Sequence, residues 1–375
     1  MAELAASASA VSAAADGGAP SSASALAVID AAERGDEEAL RALLKAGAPA
    51  HAQDATDGRS ALMAAAKARQ RECCSMLLAG GAPWNAVDRR GRCAGQYAMD
   101  GGDQLIVDAL LDSGVAAELL LGCVERAKGA ADVLRRQAEG EAYLGSAVRY
   151  SGDDKLLDDA GDAVMMEWER PLMAAHAQVL CGARGAGRAA GDGGADVMNI
   201  GFGMGIVDGL LQAHEPRRHV IVEAHPAVLA KMRAEGWYDK PGVEVVAGKW
   251  QDVLPQLTAN GAAFDGVFFD TYGEHYEDLR GFHAALPDLV RPDGGVYSFF
   301  NGLCPFNLFF HAVACEVARL ELARLGFDCQ FAQVDVEAQG ESLWVDVRRR
   351  YWGDRTTYYL PIATRGAAGV GSGSS

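Results

Sequence analysis

The sequence lacks the features that would assign it to a membrane, secreted or zinc-binding class. No apolar run approaches the roughly 20 residues that a membrane-spanning helix needs. None of the eight cysteines forms a C-x-x-C pair or has a histidine nearby at zinc-ligand spacing, so we predict no metal site and reduced thiols. The N-terminal stretch lacks a basic start, a continuous apolar segment and arginines, which disfavours a signal or transit peptide. We therefore expect a protein of the cytoplasm and nucleus.

Positive charge is also scarce. The chain has 34 Lys and Arg against 51 Asp and Glu, a net charge of −17, which argues against nucleic acid as a partner. The same charge suits a cationic substrate, although acid that only keeps a surface soluble would give the same balance. Hydrophobic residues make up 50% of the 375 residues and charged residues 23%, so we predict a globular protein of two domains.

A sequence repeat runs through the first third of the chain. "LLKAGAP" begins at Leu43, "LLAGGAP" at Leu77 and "LLDSGV" at Leu110, which are offsets of 34 and 33 residues. This period, with a helix that ends in Leu-Leu before a glycine turn, resembles ankyrin repeats, whose helix pairs bury their apolar sides against one another. We predict three such units over residues 24–115, after a disordered leader at 1–23.

The predicted repeats suggest a docking surface, since ankyrin stacks capture other proteins on their concave side. The alternative is a passive cap that steadies the next domain. Residues 116–145 show helical periodicity with alternating charge and are predicted to form a helical connector. A second domain follows at 146–365, and the Gly/Ser-rich end at 366–375 is expected to be disordered.

Strand-like and helical segments alternate in the second domain. The apolar strand-like segments are "DVMNIGFG", "RHVIVEAH", "VEVVAG" and "FDGVFFDTY", and those with helical spacing are "GIVDGLLQAH", "PAVLAKMRAEG" and "LRGFHAALPDLV". This alternation predicts the α/β class, a Rossmann-like parallel sheet with helices on both faces. Ligands of such sheets bind at the carboxyl ends of the strands.

Three glycines, Gly201, Gly203 and Gly205, follow the first of these strands. Without side chains they permit a tight turn and let a ligand approach the backbone, but the turn alone fits a dinucleotide, a nucleoside or close packing. Its Gly-x-Gly-x-Gly spacing differs from the G-x-G-x-x-G of nicotinamide enzymes. Glu223 closes the second strand about 20 residues later, where an acid can accept hydrogen bonds from ribose hydroxyls.

The segment after the third strand discriminates among these ligands. Lys249, Trp250, Gln251 and Asp252 offer an aromatic face and a carboxylate where an adenine ring would lie. A nucleoside cofactor without pyrophosphate needs no phosphate cradle. The combination therefore favours S-adenosylmethionine.

Seven ordered motifs then resemble one family. They are "VMMEWERPLM", "VMNIGFGMGIVDG", "VIVEAHP", "GKWQDVLP", "FDGVFFDTYGEHYEDL", "GGVYSFFNGL" and "YYLPIAT". The chain, over roughly residues 24–365, resembles the type IV protein arginine N5-methyltransferases, the arginine N-methyltransferase 2 family of fungi and plants. That family is similar to guanidinoacetate N-methyltransferase and carries ankyrin-like repeats in front. The resemblance implies a class I S-adenosylmethionine-dependent methyltransferase sheet, which "ESLWVDVRRRYWGDRTTYYLPIAT" would finish with a reversed pair of strands.

The resemblance also implies which residues contact the cofactor. On the glycine turn they are Phe202, Gly203, Met204, Gly205, Ile206 and Val207, and at the end of the second strand they are Glu223, Ala224 and His225. The adenine-side segment contributes Lys249 and Trp250, and the part ahead of the sheet contributes Tyr150, Met165 and Met173. The fourth strand contributes Asp270. From spacing alone, Met165, Met166 and Met173 would instead belong to a helix core, since methionines fill irregular gaps.

Two acids, Glu169 and Asp270, are implied to grip a guanidinium group. Guanidinium is planar, charged near neutral pH and matched to carboxylates in geometry. Two acids on its outer nitrogens would leave electron density on the internal nitrogen that must attack. The alternatives are a strand-end carboxylate that caps the next helix for Asp270 and an exposed acid paired with Arg170 for Glu169.

The implied reaction is an in-line displacement. The internal (delta, N5) nitrogen of an arginine in a protein attacks the methyl group of the sulfonium. No metal is expected to take part. Positioning of the reactants and electrostatics are expected to provide the rate enhancement. Asp270 is the first candidate for the proton acceptor, with Glu274 or His275 behind it. The expected partner is an arginine-containing protein, with the repeats as its candidate docking surface, and no nucleic acid or membrane is expected. The sequence does not predict the oligomeric state.

Two other functions stay open on the sequence. A small guanidino acid could be the substrate, although a free metabolite needs no docking surface. The chain could also be a non-catalytic ankyrin adaptor with a vestigial cofactor site, although its glycine turn and acids are intact.

Overall fold

The computed structural model describes residues 22–128, 130–182, 193–272, 276–337 and 339–366. Contacts divide the chain into two compact units. Unit 1 runs to Lys128 and includes Phe306–Val317, and unit 2 holds the remaining residues. Among the described helices, none combines the length and apolar content needed to cross a membrane. Residues 1–21 and 367–375, most of the predicted leader and tail, lie outside the described residues.

Unit 1 contains helix pairs at the predicted spacing. The helices are α1 (Ser22–Arg34), α2 (Glu37–Lys45), α3 (Ala61–Lys67), α4 (Arg71–Ala79), α5 (Ala94–Gly101) and α6 (Gln104–Lys128). Ser60 is the N-cap of α3, and its hydroxyl accepts a hydrogen bond from the Met63 backbone N–H. Cys93, one repeat later, is the N-cap of α5. The predicted repeat is therefore confirmed, but α6 runs past the predicted boundary at residue 115.

A late segment of the chain packs within unit 1. A Cβ atom at Gly95 in α5 would lie only 2.1 Å from the Phe309 ring, so the close approach requires a glycine. Trp84 meets Phe310 edge-on, with ring centroids 5.5 Å apart. The Asn307 side-chain amide donates to the side-chain carbonyl of Gln96 at 2.9 Å. Repeat periodicity carries no signal for this segment, because the contact joins parts of the chain that are distant in sequence.

The Gly95→Ala substitution is expected to lower the free energy of unfolding by about 1–3 kcal/mol, because the new methyl group collides with the Phe309 ring. Gly101→Ala in the same helix is the control, since the atoms nearest to its Cβ would lie 3.6 Å away, an ordinary van der Waals contact. Alanine there should be neutral or stabilising by up to about 1 kcal/mol. Urea denaturation measures both variants, and equal effects would contradict the tight packing at Gly95.

Unit 2 begins with a helix and a small antiparallel sheet. Helix α7 (Ala130–Gly145) precedes strands β1 (Arg149–Ser151), β2 (Lys155–Leu157) and β3 (Ala163–Met166). The predicted connector is thus divided between α6 in unit 1 and α7 in unit 2. A short 3-10 turn, Glu167–Glu169, follows β3 directly and leads into the next helix.

A seven-stranded sheet forms the body of unit 2. Its strands are β4 (Asp196–Ile200), β5 (Arg218–Glu223), β6 (Val243–Ala247), β7 (Gly266–Phe269), β8 (Val296–Phe299), β9 (Phe327–Asp335) and β10 (Thr357–Arg365). Their order is β6-β5-β4-β7-β8-β10-β9. The first five in this order pair in parallel, and β10 runs antiparallel to both β8 and β9. The predicted Rossmann-like α/β fold is confirmed.

Helices connect the strands and cover the sheet. They are α8 (Arg170–Gly182), α9 (Ile206–Ala213), α10 (Pro226–Ala234), α11 (Trp250–Ala259), α12 (Tyr276–His283), α13 (Leu286–Leu289) and α14 (Leu308–Arg324), the last of which begins in unit 1. Consecutive residues of β7 enter different cores: Val267 and Phe269 pack in one apolar cluster, and Phe268 packs in another. This alternation indicates a strand buried on both faces, as parallel sheets require.

The predicted reversed pair of strands is wrong in its first member. "ESLW" forms a 3-10 turn, Glu341–Trp344, and the partner of β10 is β9, which lies upstream. Phe327 and Cys329 in β9 alternate with exposed residues and pack into the sheet core, a clear period of two. Trp344 instead packs in an apolar cluster with Trp352 and Tyr358, and the Glu341–Trp344 turn does not pair with any strand of the sheet.

Candidate active site

The glycine turn lies at the carboxyl end of β4, between that strand and α9. Gly201, Gly203 and Gly205 have φ angles of +94°, +57° and +72°, a region that L-residues with side chains rarely adopt. A Cβ atom at Gly201 would lie 1.9 Å from the backbone oxygen of Asp270. The turn therefore packs directly against the end of β7.

A cavity of about 480 Å³ opens beside this turn, at the carboxyl ends of the parallel strands. Seven of the predicted site residues line it: Met165, Gly203, Glu223, Ala224, Lys249, Trp250 and Asp270. Gln251 and Asp252 line it as well. Four strand ends and the α7 helix thus contribute to one cavity, which is large enough for a nucleoside-sized ligand.

The Glu223 carboxylate is held by three backbone N–H groups. Its Oε2 accepts from Phe202 at 2.8 Å, and its Oε1 accepts from Ala224 at 2.7 Å and from His225 at 2.6 Å. A carboxylate has about four lone-pair positions, so about one remains for a ligand hydroxyl. Glu223 therefore fixes the glycine turn to the end of β5 as well as facing the cavity.

Met165 and Tyr150 approach the turn from the small antiparallel sheet. The Met165 thioether accepts a hydrogen bond from the Met204 backbone N–H at 3.3 Å. The Tyr150 hydroxyl donates to the Gly203 carbonyl at 3.0 Å, and the Lys231 ammonium lies 4.6 Å from the Tyr150 ring centroid. Met165 faces the cavity, whereas Tyr150 supports the turn without lining it.

The remaining predicted contacts do not line the cavity. Met173, Phe202, Ile206 and Val207 are buried in the apolar core between the sheet and its helices. Motif positions next to a ligand site can thus be core positions, because the same elements also carry the side chains that pack them in place. Gly205 is the αL N-cap of α9, and the His225 ring accepts through Nδ1 from Ala227 and packs near Tyr143.

Trp250 and Lys249 stand at the start of α11. The indole of Trp250 packs edge-on against Phe269 and Phe282, with centroids 6.1 Å and 5.5 Å away, and it borders the cavity. Lys249 also borders the cavity, and its ammonium pairs with Glu141 of α7 at 2.9 Å. The aromatic residue that the sequence predicted here therefore borders the cavity.

The α7 helix supplies cavity residues that sequence reasoning missed. Arg136, Gly140, Tyr143 and Leu144 line the cavity, with Gln137 and Glu141 between them. These positions share one helical face, and that spacing was the only signal in the sequence. Tyr272, after β7, also lines the cavity and donates to Asp158 at 2.9 Å.

Glu169 is 4% exposed and lies at the end of the 3-10 turn after β3. Its Oε1 accepts hydrogen bonds from the Met166 backbone N–H at 3.1 Å and from the Tyr351 hydroxyl. Burial, with a smaller contribution from the Asp270 carboxylate, raises the pKa of this carboxyl to about 8. The exposed pair with Arg170 is not formed, because Arg170 pairs with Glu167.

Asp270 follows β7 and faces the cavity. Its carboxylate accepts no hydrogen bond from the described residues, so it does not cap a helix among them. Burial, with a smaller contribution from the Asp208 carboxylate, raises its pKa to about 7. Asp208 is itself buried under the glycine turn, 3.0 Å from both Asn199 and His219. Glu274 and His275, the other predicted proton acceptors, lie outside the described residues.

Glu169 and Asp270 form an acidic pair without a cation. The Asp270 carboxylate raises the pKa of Glu169, and neither acid makes an ion pair within the described part of the chain. Glu169 does not line the cavity itself. Two buried acids repel each other, and a bound guanidinium would remove the repulsion and lower both pKa values. Chemically, the arrangement is suited to an organic cation beside the cavity.

The residues present also fit a methyl-donating nucleoside. The glycine turn leaves room near the backbone, Glu223 faces the cavity with hydrogen-bonding capacity left, and Trp250 borders the same space. A side chain at Gly203 would meet the Met165 sulfur at 2.9 Å, so the turn and the cavity wall are closely matched.

Comparison with known proteins gives two family matches. Residues 136–301 match the family described as guanidinoacetate N-methyltransferase. Residues 28–119 match ankyrin repeats in three copies. The first match covers the cavity and the acidic pair, and the second covers the helix pairs of unit 1.

Several relatives are similar along most of the chain. The protein arginine N-methyltransferase 2 of Cryptococcus neoformans is 36% identical over 352 residues, which cover 90% of this chain and 94% of that protein. The protein of the same name from Emericella nidulans is 33% identical over 418 residues, 89% and 95% of the two chains. That from Saccharomyces cerevisiae is 32% identical over 323 residues, 77% and 76%.

Proposed function

Since the chain belongs to the protein arginine N-methyltransferase 2 family, we propose that it methylates the internal (delta, N5) nitrogen of arginine residues in a protein substrate. The observation that carries the proposal is the acidic pair: Glu169 is buried, Asp270 is partly buried and faces the nucleoside-sized cavity, and neither makes an ion pair among the described residues. Guanidinium is the protein cation best matched to two carboxylates.

The residues that would hold S-adenosylmethionine are those of the glycine turn with Met165, Glu223 and Trp250. When bound, this cofactor supplies an electrophilic methyl group on a sulfonium whose leaving group is a neutral thioether. Glu223 is already oriented by three backbone N–H groups, so its free acceptor position is fixed before a ribose arrives. The chain's task is then to place the nucleophile and adjust its charge.

Glu169 and Asp270 would each hold an outer nitrogen of the guanidinium. A carboxylate on either side fixes the plane of the group and keeps its positive charge on the outer nitrogens. The internal nitrogen then retains more electron density, which a nucleophile needs. Fixed charges in a buried site need no reorganisation during the reaction, so they stabilise the transition state effectively.

Asp270 would accept the proton that the guanidinium loses. Its carboxylate has no hydrogen-bond donor among the described residues, whereas one oxygen of Glu169 already accepts two. A pKa of about 7 places Asp270 near the pH at which a general base works best. We therefore assign holding to Glu169, and both holding and proton transfer to Asp270.

The ankyrin repeats would recruit the protein that carries the arginine. A free guanidino acid needs no such surface, so the repeats favour a protein over a metabolite. This part of the proposal concerns the substrate class and is separate from the chemistry of the acidic pair.

Methyl transfer from radiolabelled S-adenosylmethionine to protamine, an arginine-rich protein, and to guanidinoacetate tests the proposal. We expect label in protamine, and acid hydrolysis with mass fragmentation should identify delta-methylarginine. Label in guanidinoacetate alone would reject the protein substrate, and methyl groups on terminal nitrogens would reject the nitrogen assignment. Absence of S-adenosylmethionine binding in calorimetry would reject catalysis altogether.

A further inference from the structure

Tyr351 reaches Glu169 from the segment between β9 and β10. The Tyr351 hydroxyl contacts Glu169 Oε1, and the Trp168 indole N–H donates to the same hydroxyl at 2.8 Å. An indole N–H can only donate, so the tyrosine oxygen accepts from Trp168. The tyrosine proton is therefore directed to Glu169.

We propose that Tyr351 is a positioning residue that orients the Glu169 carboxyl and favours its ionised form. The inference rests on the proposed function, since it assigns Tyr351 a part in holding the substrate guanidinium. Sequence reasoning did not select Tyr351, which stands 182 residues from its partner.

The hydrogen bonds on Glu169 leave one oxygen available. The Tyr351 hydroxyl and the Met166 backbone N–H both donate to Oε1. Oε2 has no hydrogen-bond partner among the described residues. A carboxylate fixed through one oxygen presents the other in a defined direction, which is what a planar guanidinium donor requires.

Several contacts hold the segment that carries Tyr351 in place. The Tyr351 ring packs edge-on against Trp344, with centroids 5.1 Å apart. The buried Lys155 ammonium donates to the Val345 carbonyl at 2.9 Å. Asp162 binds the neighbouring Arg348, which holds the pKa of Asp162 at about 2. The tyrosine hydroxyl is thus held in place before a substrate binds.

Charge explains why the hydrogen bond matters. Glu169 must be ionised to hold a guanidinium, but burial and Asp270 raise its pKa, and burial and Asp208 raise the pKa of Asp270 in turn. A hydrogen bond to the ionised form opposes that rise. Burial and Glu169 raise the pKa of Tyr351 well above the ordinary value, so the hydroxyl remains a donor across the neutral range.

The test is the pH profile of the Tyr351→Phe variant of the full chain, with protamine as substrate. Because kcat/KM rises as the acidic pair ionises, loss of the hydroxyl should move the acid limb to higher pH by on the order of one unit. That shift corresponds to a roughly tenfold lower kcat/KM at pH 6.5 and a nearly unchanged kcat/KM at pH 9.5. Tyr297→Phe is the matched control, since Tyr297 is also buried and its hydroxyl has no hydrogen-bond partner in the described ranges.

A second measurement does not depend on activity. Carbon-13 NMR of glutamate-labelled protein, with the Glu169 signal assigned by its loss in Glu169→Gln, should give a higher titration midpoint in Tyr351→Phe than in the wild type. Trp168→Phe should shift it less, in the same direction. An unchanged midpoint, or an equal loss of activity at every pH, would overturn the proposal. If the wild type methylates no arginine, the proposed function fails, while the midpoints still decide on Tyr351.

Discussion

The Asp270→Asn variant is expected to lose methyl transfer, with kcat/KM for protamine reduced by about a thousandfold, a change of roughly 4 kcal/mol. The substitution leaves the guanidinium with one acid and removes the proton acceptor. The amide has nearly the same shape as the carboxyl, so affinity for S-adenosylmethionine should change by no more than about threefold, under 1 kcal/mol. Steady-state kinetics and calorimetry measure the two quantities.

Two further variants test whether the effect is specific to the acidic pair. Glu169→Gln should also impair transfer, because it removes the other charge of the acidic pair. Glu167→Gln, two residues away, should leave activity unchanged, since Glu167 lies at the surface and pairs with Arg170. If Asp270→Asn weakened cofactor binding as much as transfer, Asp270 would belong to the cofactor site rather than to the guanidinium.

The Gly203→Val variant should show the opposite pattern, with affinity for S-adenosylmethionine lowered by at least about a hundredfold, or about 2.7 kcal/mol. Gly203 lines the cavity at a φ of +57°, and a Cβ atom there would approach the Met165 sulfur to 2.9 Å. A branched side chain would therefore displace the cavity wall and fill the space beside the turn. Calorimetry with S-adenosylmethionine measures the loss.

Backbone strain has to be separated from obstruction of the cavity. Gly236 has a φ of +73°, and a Cβ atom there would meet no atom within 4 Å. Gly236→Val should cost a similar strain, about 1–2 kcal/mol, without affecting cofactor affinity. An equal loss of affinity in both variants would mean that general destabilisation, and not the cavity, explains the effect at Gly203.

The parts of the site that follow from fold class could be predicted from the sequence. Gly203, Glu223, Trp250 and Asp270 each stand at or just after the carboxyl end of a strand, and parallel strands bring those ends to one edge of the sheet. Periodicity of apolar residues was sufficient to place those strands. Their convergence on one cavity then required no knowledge of side-chain packing.

Other parts of the site depend on contacts that no local pattern records. Tyr351 meets Glu169 only because the segment between β9 and β10 folds back onto the turn after β3, where Trp168 and Trp344 pack around it. The sequence predicts α7 only as a connector, because its pattern does not show that one of its faces lines the cavity. Conversely, Met173 lies inside a shared motif yet is fully buried in the core, because motifs include the side chains that support a site.

The place of Phe309 in unit 1 bears on the order in which the protein is made. Synthesis delivers residues 22–128 first, then the strands β4 to β8, and only later the aromatic ring that sits over Gly95. Until then, Gly95 and Trp84 lack the Phe309 and Phe310 rings that they contact in the complete chain. Unit 1 is therefore complete only after most of unit 2 has been synthesised.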